Sequence, residues 1–215
     1  MGCAMSSIFF DMFEAPKDKK LFQGDIIKRE EDECDFFDGQ EDAVGYLIVS
    51  NSCDIINGNI EFISLVPIYP FFKGVEGKME KYKSKFVDQC KSKSFNVGGF
   101  IKQFENEIVD LISDEVNYKR KSTFFLSPLH KFGDFPTLAT IEDVRSVPVN
   151  ETKDLILDHR ICSLKNPWRE LLGFKVAYLY NRIATDDPPA KEELNGWWKK
   201  AYEKSYNEFI DTLSK

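Results

Sequence analysis

Five consecutive polar or ionisable residues, Ser50, Asn51, Ser52, Cys53 and Asp54, follow directly on the apolar run from Tyr46 to Val49. A strand that delivers a thiol, a carboxylate, two hydroxyls and an amide to its own end assembles the groups that nucleophilic and acid–base chemistry uses. In that reading Cys53 is the nucleophile and Asp54 the acid–base group, while Ser50, Asn51 and Ser52 bind the ligand. A reactive thiol also needs a base and a lowered pKa. Only His130 and His159 could supply that base. In the competing reading Ser52 and Asp54 hydrogen-bond the backbone of a turn, and Cys53 fills the core. This second reading weighs more, because no spacing sets either histidine beside the thiol.

A second constellation surrounds the turn from Ser163 to Pro167: Arg160, Trp168, Arg169 and Arg182. Arginines near a helix start can grip phosphate, and an exposed tryptophan there can stack a base. Arg160 is also a catalytic candidate. Pairing with Asp158, Glu170 or Asp186 would account for the same arginines without a ligand. Asp25, Glu142 and Asp143 could offer carboxylates to Mg²⁺, but no third ligand stands at a diagnostic spacing. With two histidines and five scattered cysteines lacking any C-x-x-C pair, neither a zinc site nor a disulfide framework is expected. No metal and no cofactor is called for, and reduced thiols suit the cytoplasm.

The chain of 215 residues is long enough for a substantial core, and its formal charge of −7 opposes general affinity for nucleic acid. Lysine clusters at Lys78 to Lys93 and at Lys119 to Lys121 read as solvated helix faces. No apolar run approaches the roughly 20 residues that cross a bilayer. The opening Met-Gly-Cys-Ala-Met-Ser fits an acylation pattern at Gly2 and Cys3, a short pattern that chance also produces.

The elements that must position these residues are legible in outline. Gln23 to Pro70 reads as three short strands, the third ended by Pro67 and Pro70, with an acidic exposed loop at Arg29 to Asp42 and a turn around Asn57-Gly58. Two amphipathic helices follow, with apolar positions Val75, Met79, Tyr82 and Phe86, then Phe100, Ile101, Phe104, Ile108, Leu111 and Ile112. Strands return at Ser122 to Leu126, at Phe135 to Val149 as a pair or one bulged strand, and within Leu155 to Leu164. Asn166 and Pro167 suit the start of a helix running to about Ile183. The tail from Ala190 to Leu213 forms a last helix with an aromatic stripe, packing on the barrel or a partner.

The segments Gly24-Asp25-Ile26, the buried strand ending at Ser50, Val66-Pro67-Ile68, and Leu138 to Val147 together resemble the small SH3-like barrel of the MazF/PemK toxins over about half the chain. The resemblance implies a curved antiparallel SH3-like barrel with strands in 21–70 and 120–165. The helical insertion at 71–116 and the C-terminal helices at 167–215 come from the apolar spacing and are foreign to the compact toxins. Together these make an α+β fold in one domain. In that family an arginine before the second strand and a threonine after the third cleave single-stranded RNA without metal. Here Ala43-Val44-Gly45-Tyr46 and Tyr69 occupy those places, so the catalytic positions are not retained. The expected function is that of a prokaryotic toxin-like or defence-associated barrel protein that binds a protein or single-stranded RNA, with a homodimer compatible. The alternative is a diverged metal-independent endoribonuclease.

Overall fold

In a computed structural model, residues 9–16, 18–30, 35–36, 39–89, 96–177 and 191–213 are described. The chain divides into two compact units, one built from 10–70 and 120–187, the other from 1–9, 71–119 and 188–215.

The first unit carries the expected curved antiparallel sheet, curled as a half-barrel. Its strands are β1 (Phe13–Glu14), β2 (Asp25–Lys28), β3 (Gly45–Ile48), β4 (Phe62–Pro70), β5 (Thr123–Leu126), β6 (Thr137–Thr140), β7 (Arg145–Pro148) and β8 (Arg160–Leu164). They run in the order β1-β8-β2-β3-β4-β6-β5, with β7 also on β4. Near the start of the described residues β1 pairs with β8, Phe13 opposite Leu164.

The sequence expects Pro67 and Pro70 to end the third strand; β4 runs through Pro67 and ends at Pro70. The register explains why. Val44 and Val49 donate to the carbonyls of Ile68 and Ser64, so even-numbered residues of β4 turn their backbone toward β3. The odd-numbered ones face the other side, where β7 pairs as far as Leu65 opposite Arg145 and β6 resumes at Ile68 opposite Ala139. Between those two pairs the partner segment holds three extra residues, forming the bulge at 141–144. Pro67 lies opposite that bulge, where no N–H is needed for a ladder. The stretch 135–149 expected as a strand pair or one bulged strand thus holds two short strands, β6 and β7, both on β4 and separated at 141–144.

One sheet face packs Ile27, Tyr46, Ile48, Ile63, Leu65 and Val147 into a core with Leu21 and Ile156. The short strand expected within Leu155 to Leu164 is β8; Ile156 belongs to α4 (Val149–His159), a helix that the sequence pattern does not suggest. The consecutive Leu155-Ile156-Leu157 mimics strand patterning, but only Ile156 is fully buried. The acidic loop is tied down where it is described. Asp35 accepts from the Tyr46 hydroxyl and from Arg29, each at 2.7 Å, and Phe36 meets the Tyr46 ring edge-on.

In the second unit, α2 (Phe72–Gln89) buries Val75, Met79, Tyr82 and Phe86, the positions expected from its spacing. The facing side of α3 (Val97–Val116) is built from Phe100, Phe104, Ile108, Leu111 and Ile112. The tail forms two helices, α6 (Lys191–Ala201) and α7 (Glu203–Leu213), broken at Tyr202. Its aromatic stripe covers the α2–α3 pair: Phe104 stacks at 4.3 Å from Phe209 and meets Trp198 edge-on at 5.9 Å.

Gly45 is the tightest point of the sheet. A Cβ there would stand 2.4 Å from the Ile27 carbonyl oxygen and 2.8 Å from the Phe132 ring. Because the first contact is backbone, a smaller side chain at 132 would not make room. Gly45→Ala is expected to lower stability by about 1–3 kcal/mol or more, measured by urea unfolding. Phe132→Ala in the same chain should not restore it.

Candidate functional site

The polar run at 50–54 is a connection built from caps. Asn51 caps the five-residue helix α1 (Ser52–Ile56), its side chain accepting from the Cys53 N–H at 2.9 Å. Ser50 Oγ accepts from Ser64 N–H at 2.7 Å, and Ser52 Oγ accepts from Gln23 N–H at 2.9 Å. These side chains satisfy backbone donors at the start of α1, in β4 and just before β2. Cys53 and Asp54 are exposed. Cys53 therefore does not fill the core, contrary to the structural alternative. His130 pairs with Asp134 at 3.1 Å, and His159 Nδ1 lies 3.0 Å from the Leu155 carbonyl.

Arg160 lies at the start of β8, with only 5% of its side chain exposed, against the fully buried Asp25 of β2. Its Nη1 donates to Asp25 Oδ2 at 2.9 Å and to the Lys20 carbonyl, and its Nη2 donates to the Asp18 carbonyl. Ser163 Oγ donates to Asp25 Oδ1 at 2.5 Å, and Phe22 N–H donates to Oδ2 at 2.9 Å. Burial pushes the Asp25 carboxyl above its ordinary value, and the bonds from Ser163, Arg160 and Phe22 pull it back. The pair clamps the 18–24 segment onto two strands. It presents no guanidinium face to a ligand.

Trp168, expected to be exposed, is buried at the start of α5 (Trp168–Val176) with its ring 4.7 Å from Phe10. Pro167, not Asn166, occupies the cap position of that helix. Arg169 donates to the Leu164 carbonyl at 2.8 Å, reaches Glu14 at 3.4 Å and lies over the Phe22 ring. Arg182 lies outside the described residues, as do Gly2 and Cys3. Asp25 and Asp143 have separate partners, Asp143 being held by Gln40 and Arg145. Among the described residues no cluster of three metal-ligating side chains occurs.

What the fold does assemble is a pocket of about 540 Å³ beside the capped segment. One wall is Glu170, Gly173, Phe174 and Ala177, spaced i, i+3, i+4, i+7 on one face of α5 and its cap. The opposite face of α5 buries Trp168, Leu171, Leu172 and Lys175. The other wall is Val49, Asn51 and Gln23. Gln23 is fixed there: its Nε2 donates to the Val49 carbonyl at 2.9 Å. A Cβ at position 173 would stand 3.2 Å from the Gln23 Oε1, so Gly173 leaves room for the amide. Of the candidates read from sequence, only Asn51 reaches this lining. Its other members carry no signal beyond the outward face of a helix.

Compared with protein-family models, with curated proteins and with solved structures, the chain matches none.

Removing one partner of the Asp25–Arg160 pair leaves a buried charge uncompensated, so Arg160→Ala is expected to cost about 3–5 kcal/mol. Arg160→Met combined with Asp25→Leu should cost less than the sum of the single changes in a double-mutant cycle read by urea unfolding. The thiols give an independent check. Burial, with the Asp25 charge behind it, pushes the Cys162 thiol up to about 12, while Cys53 is exposed. In single-cysteine chains, with the other four cysteines replaced by serine, Cys53 should react with a disulfide reagent in the folded state, and Cys162 only on unfolding.

Proposed function

We propose that the chain is a prokaryotic, cytoplasmic barrel-type protein of the toxin-like or defence-associated kind, and that it acts by binding a protein partner. The pocket between α5 and the Val49–Asn51 segment carries this reading. Its volume of about 540 Å³ falls in the range of ligand sites, and apolar walls converge on a few placed polar groups. Those groups are the Glu170 carboxylate and the Gln23 and Asn51 amides, with no lysine or arginine in the lining. Such a lining suits an apolar side chain next to a cation or an N–H donor of a protein partner. It offers nothing to a phosphate.

Two features weigh against the endoribonuclease alternative. The Phe132 ring covers Gly45, in the stretch where the toxins carry their arginine. Arg160, the catalytic candidate among the arginines, is enclosed by Asp25 and backbone carbonyls.

The test uses the purified chain with labelled single-stranded RNA and with a displayed peptide library. The expected result is no RNA cleavage, together with selected peptides that pair an apolar residue with lysine or arginine. Ala177→Trp, at an exposed position on the pocket wall, should abolish their binding. RNA cleavage that disappears in Tyr69→Phe would overturn the proposal in favour of the ribonuclease.

A further inference from the structure

A second concave surface takes its lining from the other end of α1. It measures about 480 Å³ and lies between α1, the 58–60 turn and the start of α4. We infer that this groove docks an acidic, amphipathic peptide segment of a partner protein.

Its floor is aliphatic. Leu21, Ile55, Ile60 and Val149 line it, and all four also belong to or pack against the buried core of the sheet. The floor is therefore held in place before any partner arrives, which limits the ordering cost of binding. Ile56 lines the same groove and is 43% exposed, adding accessible aliphatic surface beside that floor.

The rim decides the sign of the partner. Lys20 and Lys153 stand in the lining against one carboxylate, Asp154. Both lysines are exposed, and neither makes an ion pair among the described residues. Lys20 sits on a pinned backbone, because its carbonyl accepts from the Arg160 guanidinium. A chain with formal charge −7 thus carries a locally cationic, apolar groove. Charge complementarity assigns it an acidic segment, with aliphatic or aromatic anchors seated on the floor. The lining has no aromatic ring on which a base could stack, so single-stranded nucleic acid is the poorer fit. This site is separate from the α5 pocket and prefers the opposite charge, so the two stand or fall independently.

The test is fluorescence anisotropy on the full chain with three synthetic peptides. They share leucine and phenylalanine anchors at i and i+4, flanked by aspartates, by asparagines or by lysines. The aspartate peptide should bind about tenfold more tightly than the asparagine one, the difference two partly screened ion pairs supply together. Its affinity should fall as salt rises. In the double variant Lys20→Glu, Lys153→Glu the order should reverse, with the lysine peptide now preferred. Ile56→Asp should weaken all three, and Ala177→Trp should weaken none. Circular dichroism checks that each variant folds, and the lysine pair suffices if Ile56→Asp does not. Equal binding of the three peptides, no binding of any, or an unchanged order in the double variant would overturn the proposal. Displacement of the aspartate peptide by a single-stranded RNA with higher affinity would do so as well.

Discussion

The sheet unit depends on one buried ion pair. Asp25 and Arg160 meet across β2 and β8 with almost no solvent access, and every oxygen of the carboxylate has a donor. Enclosing two charges is costly, and Ser163, Phe22 and two carbonyls offset part of that cost by hydrogen bonding the pair, while Arg160 Nε stays buried without a partner among the described residues. The same contacts fix the 18–24 segment. Gln23 then reaches the Val49 carbonyl and the Ser52 hydroxyl, and Lys20 stands at the rim of the second groove. Both candidate binding surfaces thus inherit their shape from one guanidinium.

The central strand β4 is the other constraint. It serves β3 along one side and, in turn, β7 and β6 along the other. A strand shared this way must bend, and the bulge at 141–144 with Pro67 opposite it is where the ladder is interrupted. Gly45 allows β3 to approach β2 and the Phe132 ring closely, so the curl is sustained by a missing side chain as much as by contacts.

Much of this was readable from residue order. The helices α2 and α3 follow from apolar positions three and four apart, which only a helix can place on one side. The paired strands of 21–70 follow from short apolar runs with turns between them. Helix α4 was hidden because three adjacent apolar residues carry no period. The tail reads as one amphipathic stretch, and nothing in its pattern marks the break at Tyr202. For the site, the polar cluster at 50–54 was visible, but its hydroxyls and amide turned out to cap backbone. A serine that caps and a serine that reacts look alike in sequence. The α5 pocket was not legible at all. Its walls come from residues more than a hundred positions apart, and its helix face differs from the buried one only by rotation.

The strand order has a consequence for how the chain is made. Strand β8 lies between β1 and β2, which are separated from it by well over a hundred residues. As synthesis proceeds from the N-terminus, the first two strands wait with open edges until residues 160–164 emerge. The first-made part of this unit is thus completed by its last strand, and cooperativity is imposed by topology before any ligand is involved.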